Sequence, residues 1–277
     1  MCRLFLYIAN QQIDSKILSK YISRFLSQSS QKHKNTPGLD HPRDNPPHRT
    51  GYGFAFIDND DIQRGVYDWK IYKTKDSPDV DRYRDTIVRS ISHQQPKILL
   101  GHLRKIDNNR TVNYSPKSYK NAHPFVFEEH AFIHNGIVLD FHLSRVHKKI
   151  LDRIDKNLRE EIQGETDSEH IFFLFLTFLE EEKKLLRHAL TKTPYEEAFK
   201  KMIDWFVENE ILALLNIIYV NSRDKIYLFS RYSTFADEEP TALYMDTENM
   251  IISSEPIIKH NEYHLINANT YYVGQIE

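Results

Sequence analysis

The sequence predicts an α+β fold in which antiparallel sheets carry helices packed on their outer faces. Three observations predict it. Strand patterns open the chain, helical patterns fill its middle, and strand patterns return from Ile211 onward. Neighbouring strands are joined by short connections, which implies antiparallel pairing. No fixed-period repeat or low-complexity tract points to a solenoid or a fibre. The 277 residues are 40% hydrophobic, enough for a packed core, and the order of elements suggests one domain, 1–277, rather than two.

Arg3 to Ile8 is a strand of large apolar residues, and Ile13 to Gln28 has helical spacing through Ile17, Leu18, Tyr21, Ile22, Phe25 and Leu26. From about 29 to 50 the chain is polar and holds Pro37, Pro42, Pro46 and Pro47, which predicts a long flexible loop. His33, His41 and His48 lie in it. A metal site on them is conceivable, but their wide spacing and the lack of a cysteine or a helical histidine pair favour solvated side chains. Gly51 to Ile57 and Val66 to Tyr72 read as a hairpin joined through Asp58-Asn59-Asp60-Asp61. Asp79 to His93 is a helix ended by Pro96, and Lys97 to Leu103 is a short buried strand. His130 to His134 is a strand expected to stop at a turn on Asn135-Gly136. Phe141 to Ile162 reads as a helix or a broken pair. Thr166-Asp167-Ser168-Glu169 caps the apolar helix Ile171 to Leu179, and Pro194 to Asn209 forms another helix. Five strands follow, at Ile211 to Val220, Lys225 to Ser230, Thr241 to Met245, Met250 to Ser253 and Thr270 to Ile276.

Composition narrows the function. A formal net charge of −2 gives no global field that would attract nucleic acid or an anionic membrane surface. The longest apolar runs fall well short of the roughly 20 residues that span a bilayer. Leu4 to Ala9 is too short for a signal-peptide core, so a cytoplasmic protein is expected, with neither a nucleic-acid nor a membrane partner. Cys2 is the single cysteine, which forbids an internal disulfide and leaves the thiol free.

Cys2 directly follows Met1, where a small side chain normally permits removal of the initiator. A terminal cysteine unites a thiol nucleophile with its own α-amine, whose pKa of about 7.7–8.0 suits it to accept the thiol proton or to give one to a leaving amine. The plain alternative is a small buried side chain at the start of a hydrophobic strand. The segments that follow weigh against that alternative: His102-Leu103-Arg104, Asn121-Ala122-His123-Pro124-Phe125, His134-Asn135-Gly136 and Gly164-Glu165-Thr166-Asp167-Ser168-Glu169. In this order, behind a second-position cysteine, they resemble the class II glutamine amidotransferases, a family of N-terminal-nucleophile hydrolases. Gly51-Tyr52-Gly53-Phe54-Ala55-Phe56 and Ile252-Ser253-Ser254-Glu255-Pro256 are similar to its stand-alone branch.

The resemblance covers nearly the whole chain and implies a four-layer α/β/β/α sandwich of two antiparallel sheets. It implies that Cys2 attacks a γ-glutamyl carboxamide and releases ammonia through a γ-glutamyl thioester. It assigns the Asn135 side-chain amide and the Gly136 backbone N–H to the oxyanion hole. Arg104 is assigned to the α-carboxylate, with His123 shaping or binding that end, and Asp167 to the α-ammonium. A planar two-donor guanidinium and an acceptor-only carboxylate suit those tasks. For Arg104 the plain alternative is a surface cation, and for Asp167 a helix cap. No metal or organic cofactor is expected. The substrate expected is glutamine or a γ-glutamyl compound, with the ammonia passing to a separate synthase subunit or simply released. Three positions after Arg104 the family commonly has a small hydroxyl residue, where this chain has Asp107. An acid there would repel an α-carboxylate unless it pairs with Lys105 or Arg110, so a γ-glutamyl substrate altered at its α-end is a further expectation. Another amide substrate, or a non-catalytic binding or regulatory protein of the same fold, remains an alternative at this point.

Overall fold

The computed structural model describes residues 2–11, 13–29, 50–105, 118–185, 193–258 and 262–277. The loop expected at about 29–50 therefore lies, but for its two ends, outside the described residues, as do His33, His41 and His48.

The elements run β1 (Arg3–Ile8), α1 (Ser15–Ser27), β2 (Tyr52–Asp58), α2 (Asn59–Gln63), β3 (Lys70–Thr74), α3 (Arg84–Gln94), β4 (Pro96–Leu103), β5 (Phe125–Phe127) and β6 (His130–Val138). They continue with α4 (Ser144–Arg153), α5 (Lys156–Arg159), α6 (Asp167–Leu185), α7 (Thr193–Glu208), β7 (Ala213–Asn221), β8 (Ile226–Ser233), β9 (Tyr244–Asp246), β10 (Ile251–Ser253), β11 (His264–Leu265) and β12 (Thr270–Gln275). One sheet has the strand order β11-β9-β10-β1-β4-β2-β3 and the other β12-β8-β7-β6-β5. Every pairing between described strands is antiparallel.

Alternation along the strands builds the layers. Leu4, Leu6 and Ile8 of β1 join Ile98 and Leu100 of β4 and Ala55 and Ile57 of β2. They meet Ala131 and Ile133 of β6, Ile218 and Val220 of β7, and Tyr227 and Phe229 of β8 in one core between the sheets. The intervening residues face outward. Phe5 and Tyr7 pack with Phe54, Leu99 and the buried face of α1, and Phe5 stacks on Phe25 at 5.2 Å. Phe132, Leu215, Ile217 and Tyr219 pack instead under α6 and α7. The α6 segment is buried on nearly every side, because it lies between the sheet and the other helices, which explains an apolar run without a polar face. The result is α/β/β/α, as expected.

Four local expectations are corrected. The segment 58–61 forms the short helix α2 rather than a turn, with Asp60 and Asp61 in its first turn, where acids suit the helix dipole. Lys70 pairs with Asp58 and Asp61. The second hairpin strand begins at Lys70, four residues late, and Trp69 just before it donates Nε1–H to the Glu129 carbonyl of the other sheet at 3.0 Å. The helix expected from Asp79 starts at Arg84. Asp81 is held outside it, accepting from the Tyr52 and Tyr72 hydroxyls at 2.5 and 2.7 Å. Most consequential, Asn135-Gly136 makes no turn. Strand β6 runs through it to Val138 in unbroken register with β7, Asn135 opposite Asn216 and Gly136 opposite Leu215. A β-carbon on Gly136 would stand 1.8 Å from the Leu214 carbonyl oxygen and 2.4 Å from His134 Nε2. The glycine answers to close packing between strands, not to a turn.

Candidate active site

At one end of the sandwich the positions that face between the sheets change from aliphatic to polar. Cys2 precedes Leu4, and His102, paired in register with Leu4, follows Leu100. In the other sheet Asn135 follows Ile133, Asn216 precedes Ile218 and Arg231 follows Phe229, and these three lie opposite one another across β6, β7 and β8. The two polar ends meet where His102 Nε2 donates to the His134 carbonyl at 3.2 Å.

Cys2 is partly exposed. Its sulfur lies 3.5 Å from the backbone nitrogen of Lys105, which donates to it, and 3.8 Å from the Lys105 carbonyl oxygen. Arg3 holds this terminus down: its guanidinium donates to the Cys2 carbonyl at 3.1 Å and to Glu255 Oε1 at 2.5 Å. Ser254 completes the clamp, its hydroxyl accepting from Leu4 N at 2.9 Å and its own N–H donating to the Leu4 carbonyl at 3.0 Å. The late Ser-Ser-Glu stretch, to which the sequence assigned no role, thus seats the first strand.

Arg104 is no surface cation, since only 5% of it is exposed. Burial pushes its pKa down, and the nearness of Cys2 and Asp167 opposes that shift. A guanidinium stays cationic throughout such changes. Its backbone is fixed by Gly51, whose carbonyl accepts from Arg104 N at 2.9 Å and whose φ of +119° is one that side chains rarely adopt. Asp167 opens α6. Its Oδ2 accepts from Val138 N at 2.8 Å and its Oδ1 from Ser168 N at 2.8 Å, tying the helix to the end of β6 that carries Asn135. Thr166 is the residue that caps the helix, its Oγ1 accepting from Glu169 N at 3.2 Å.

His123 is buried against His102, the two rings stacked with centroids 4.0 Å apart. Among the described residues neither His123 ring nitrogen has a hydrogen-bond partner, and His102 Nδ1 has none. Burial keeps both rings neutral, with His102 brought down to about 3 and His123 well below the usual histidine range. Lys73, opposite Gly53 in the hairpin, is lowered to about 8 by burial, with Glu169 opposing that shift. Asn121 accepts from Glu165 N at 2.9 Å, and Glu169 accepts from Gln163 N at 3.1 Å and Gly164 N at 2.6 Å. Two of the motifs quoted above therefore brace each other as walls around His123 and Asp167.

The structure brings Cys2, Arg104, Asp167, Asn135 and Gly136 to one end of the sandwich, and His123 stacks there on His102. Sequence reasoning missed Thr241, whose Oγ1 accepts from Asn135 Nδ2 at 3.2 Å and from Asn216 Nδ2 at 2.9 Å. Only the polar residues at inward-facing positions 216 and 231 hinted at such a site. Asp107 and Arg110 lie outside the described residues. Among the described residues one group, Glu128, Glu129 and His130, gathers three potential metal ligands within 4.8 Å, at the opposite end of β6. Glu129 is already paired with Arg223 at 3.4 Å and His130 with the Tyr219 hydroxyl at 2.6 Å. No described helix is long and apolar enough to cross a membrane.

Two facing antiparallel sheets with helices on their outer faces make an α/β/β/α sandwich, with a cysteine just before its first strand. The chain belongs to the class-II glutamine amidotransferases, whose family model matches residues 36–265. It is 28% identical over 160 residues to DUG3 of Saccharomyces cerevisiae, a protein named as a probable glutamine amidotransferase. That match covers 53% of this chain and 44% of DUG3, so the chain spans less than half of that relative. A glutamine aminotransferase class-II domain protein from Silicibacter pomeroyi superposes with a TM-score of 0.56 over 98% of this chain and 94% of that one. At 15% identity the likeness concerns the fold.

Proposed function

We propose that the chain is a glutamine amidotransferase-type amidohydrolase that uses Cys2 as its nucleophile. The observation that carries this reading is convergence: the Cys2 sulfur lies against Lys105, next in the chain to the buried Arg104, and Asp167 grips the strand that presents Asn135. Removal of Met1 frees the Cys2 α-amine. The amine takes the thiol proton, the sulfur bonds to the γ-carboxamide carbon, and the carbonyl electrons move to the oxygen. Asn135 Nδ2–H and Gly136 N–H stabilise that oxyanion, because fixed donors in a water-poor site need no reorganisation as charge develops. Collapse breaks the C–N bond, and the proton held on the α-amine leaves with ammonia. Water then attacks the γ-glutamyl thioester, giving the γ-carboxylate and restoring the thiol.

Arg104 binds the substrate α-carboxylate as a two-donor fork, and His123 shapes that end. Asp167 receives the α-ammonium on lone pairs left over by its backbone bonds. The substrate is glutamine or a γ-glutamyl compound, the ammonia is released or passed to a separate synthase subunit, and no metal or organic cofactor takes part. Residues 1–277 act as one amidotransferase domain.

Intact mass before and after incubation with a diazoketone analogue of glutamine tests the reading, with Cys2→Ala as control. Loss of methionine and a single adduct that requires Cys2 supports it. Retained Met1 in active material, or an adduct that survives Cys2→Ala, overturns the mechanism.

A further inference from the structure

We propose that Thr241 is a positioning residue that aims the Asn135 amide, itself locked in place by Asn216 and Arg231. The inference rests on the reading of Asn135 as an oxyanion donor. An asparagine amide turns about a terminal torsion that is broad and roughly two-fold, so β6 alone does not fix where its hydrogens point. Nδ2 carries two of them. One goes to Thr241 Oγ1 at 3.2 Å, and the planar geometry of the amide then sets the direction of the other, the one available to a developing oxyanion.

Thr241 can serve as that fixed point because it is itself held by three hydrogen bonds from two buried side chains. Asn216 Nδ2 donates to the Thr241 carbonyl at 2.7 Å and to its Oγ1 at 2.9 Å. Arg231 Nε donates to the same carbonyl at 3.1 Å, and its Nη2 to the Pro240 carbonyl at 3.0 Å. Arg231 Nη1 reaches the Ile266 carbonyl at 2.9 Å, so one buried guanidinium staples two segments outside the strands onto the inner face of β8. The row Asn135, Asn216, Arg231 crosses three strands in register, and Thr241 bridges its first two members. The clamp grips mainly the backbone of residue 241, whereas Asn135 is reached only by the hydroxyl. The hydroxyl's share can therefore be removed with the clamp left in place.

Steady-state hydrolysis of glutamine and of a γ-glutamyl anilide by the full chain tests this, comparing wild type, Thr241→Val, Thr241→Ser, Asn135→Ala and the double variant Asn135→Ala with Thr241→Val. Losing one neutral positioning hydrogen bond is expected to lower kcat about tenfold, with KM changed less than about twofold. Thr241→Ser restores kcat, and Thr241→Val adds nothing to the loss in Asn135→Ala, because Thr241 acts only through that amide. Full kcat in Thr241→Val, failure of the serine to rescue, or multiplying losses in the double variant each overturns the proposal. A wild-type chain that cleaves neither substrate removes the oxyanion reading beneath it, an outcome distinct from an active wild type indifferent to Thr241.

Discussion

Arg3 Nε lies 2.5 Å from Glu255 Oε1, a pair that joins the start of β1 to a segment 252 positions later. Their side chains are only 7% and 18% exposed, so solvent does little to replace either partner. Removing one member of a buried pair typically costs about 3–5 kcal/mol. Because the pair is not fully buried, Glu255→Ala is expected to destabilise the fold by about 3 kcal/mol in urea unfolding. It should also loosen Cys2, whose carbonyl the same guanidinium holds. An unchanged urea midpoint would mean that Arg3 finds another acceptor.

Asn135→Ala deletes one of the two proposed oxyanion donors. A loss of that kind usually lowers kcat by about 10²–10³-fold. Binding of the ground-state amide should change little, so the defect belongs in kcat rather than KM. Equal losses in both would point to a structural role.

Arg104→Lys keeps the charge but replaces the planar fork with a point charge, which is not conservative at a two-point contact. A charge-assisted hydrogen bond contributes about 1.5–3 kcal/mol, so KM for glutamine should rise about 10- to 100-fold. Unaltered KM would remove Arg104 from carboxylate binding.

Gly136→Ala would put a methyl group into the hydrogen bond between His134 Nε2 and the Leu214 carbonyl, 2.9 Å long in the native chain. Overpacking of this sort costs about 1–3 kcal/mol or more. Thermal unfolding should show a loss at the upper end of that range, accompanied by loss of Cys2 labelling. A variant as stable as wild type would indicate that β7 can give way there.

His102 and His130 are lowered to about 3 and His170 to about 4, in each case chiefly by burial. The unfolded chain takes up these protons below about pH 6.5, whereas the folded chain does not. Folded pKa values below unfolded ones give stability that is complete above pH 6.5 and lost as the pH falls toward 4. Each histidine adds a slope of about 1.4 kcal/mol per pH unit, or about 4 for the three together. Urea midpoints measured at pH 8.5, 7.5 and 5.5 should be level between the first two and fall sharply at the third. Level midpoints throughout would mean that the rings charge without unfolding.

Much of the candidate site can be traced in the sequence, because its residues sit at the ends of strongly patterned strands. Cys2, His102 and Asn135 continue the inward-facing alternation of Leu4, Leu100 and Ile133 while departing from its chemistry. Asn135-Gly136 misled local reading, since the same pair serves either a turn or a crowded strand, and only the Leu214 carbonyl across the ladder decides which. Likewise Val66 to Tyr72 has strand-like residues throughout, and it is Trp69, reaching across to the Glu129 carbonyl, that fixes where pairing begins.

Residue patterning alone was enough to place most strands and helices, because periodicity is local and hydrophobic burial follows it, whereas the layer order came from what the resemblance implies. Through the resemblance the sequence also named the candidate residues at positions 2, 104, 123, 135, 136 and 167. The tertiary structure alone decided how those groups are held: Glu255 against Arg3, Val138 on Asp167, and Thr241 on Asn135. Each of these contacts joins residues from 29 to 252 positions apart. A hydrogen bond depends on position and angle within a few tenths of an ångström, and only the packed sheets fix that at such separations.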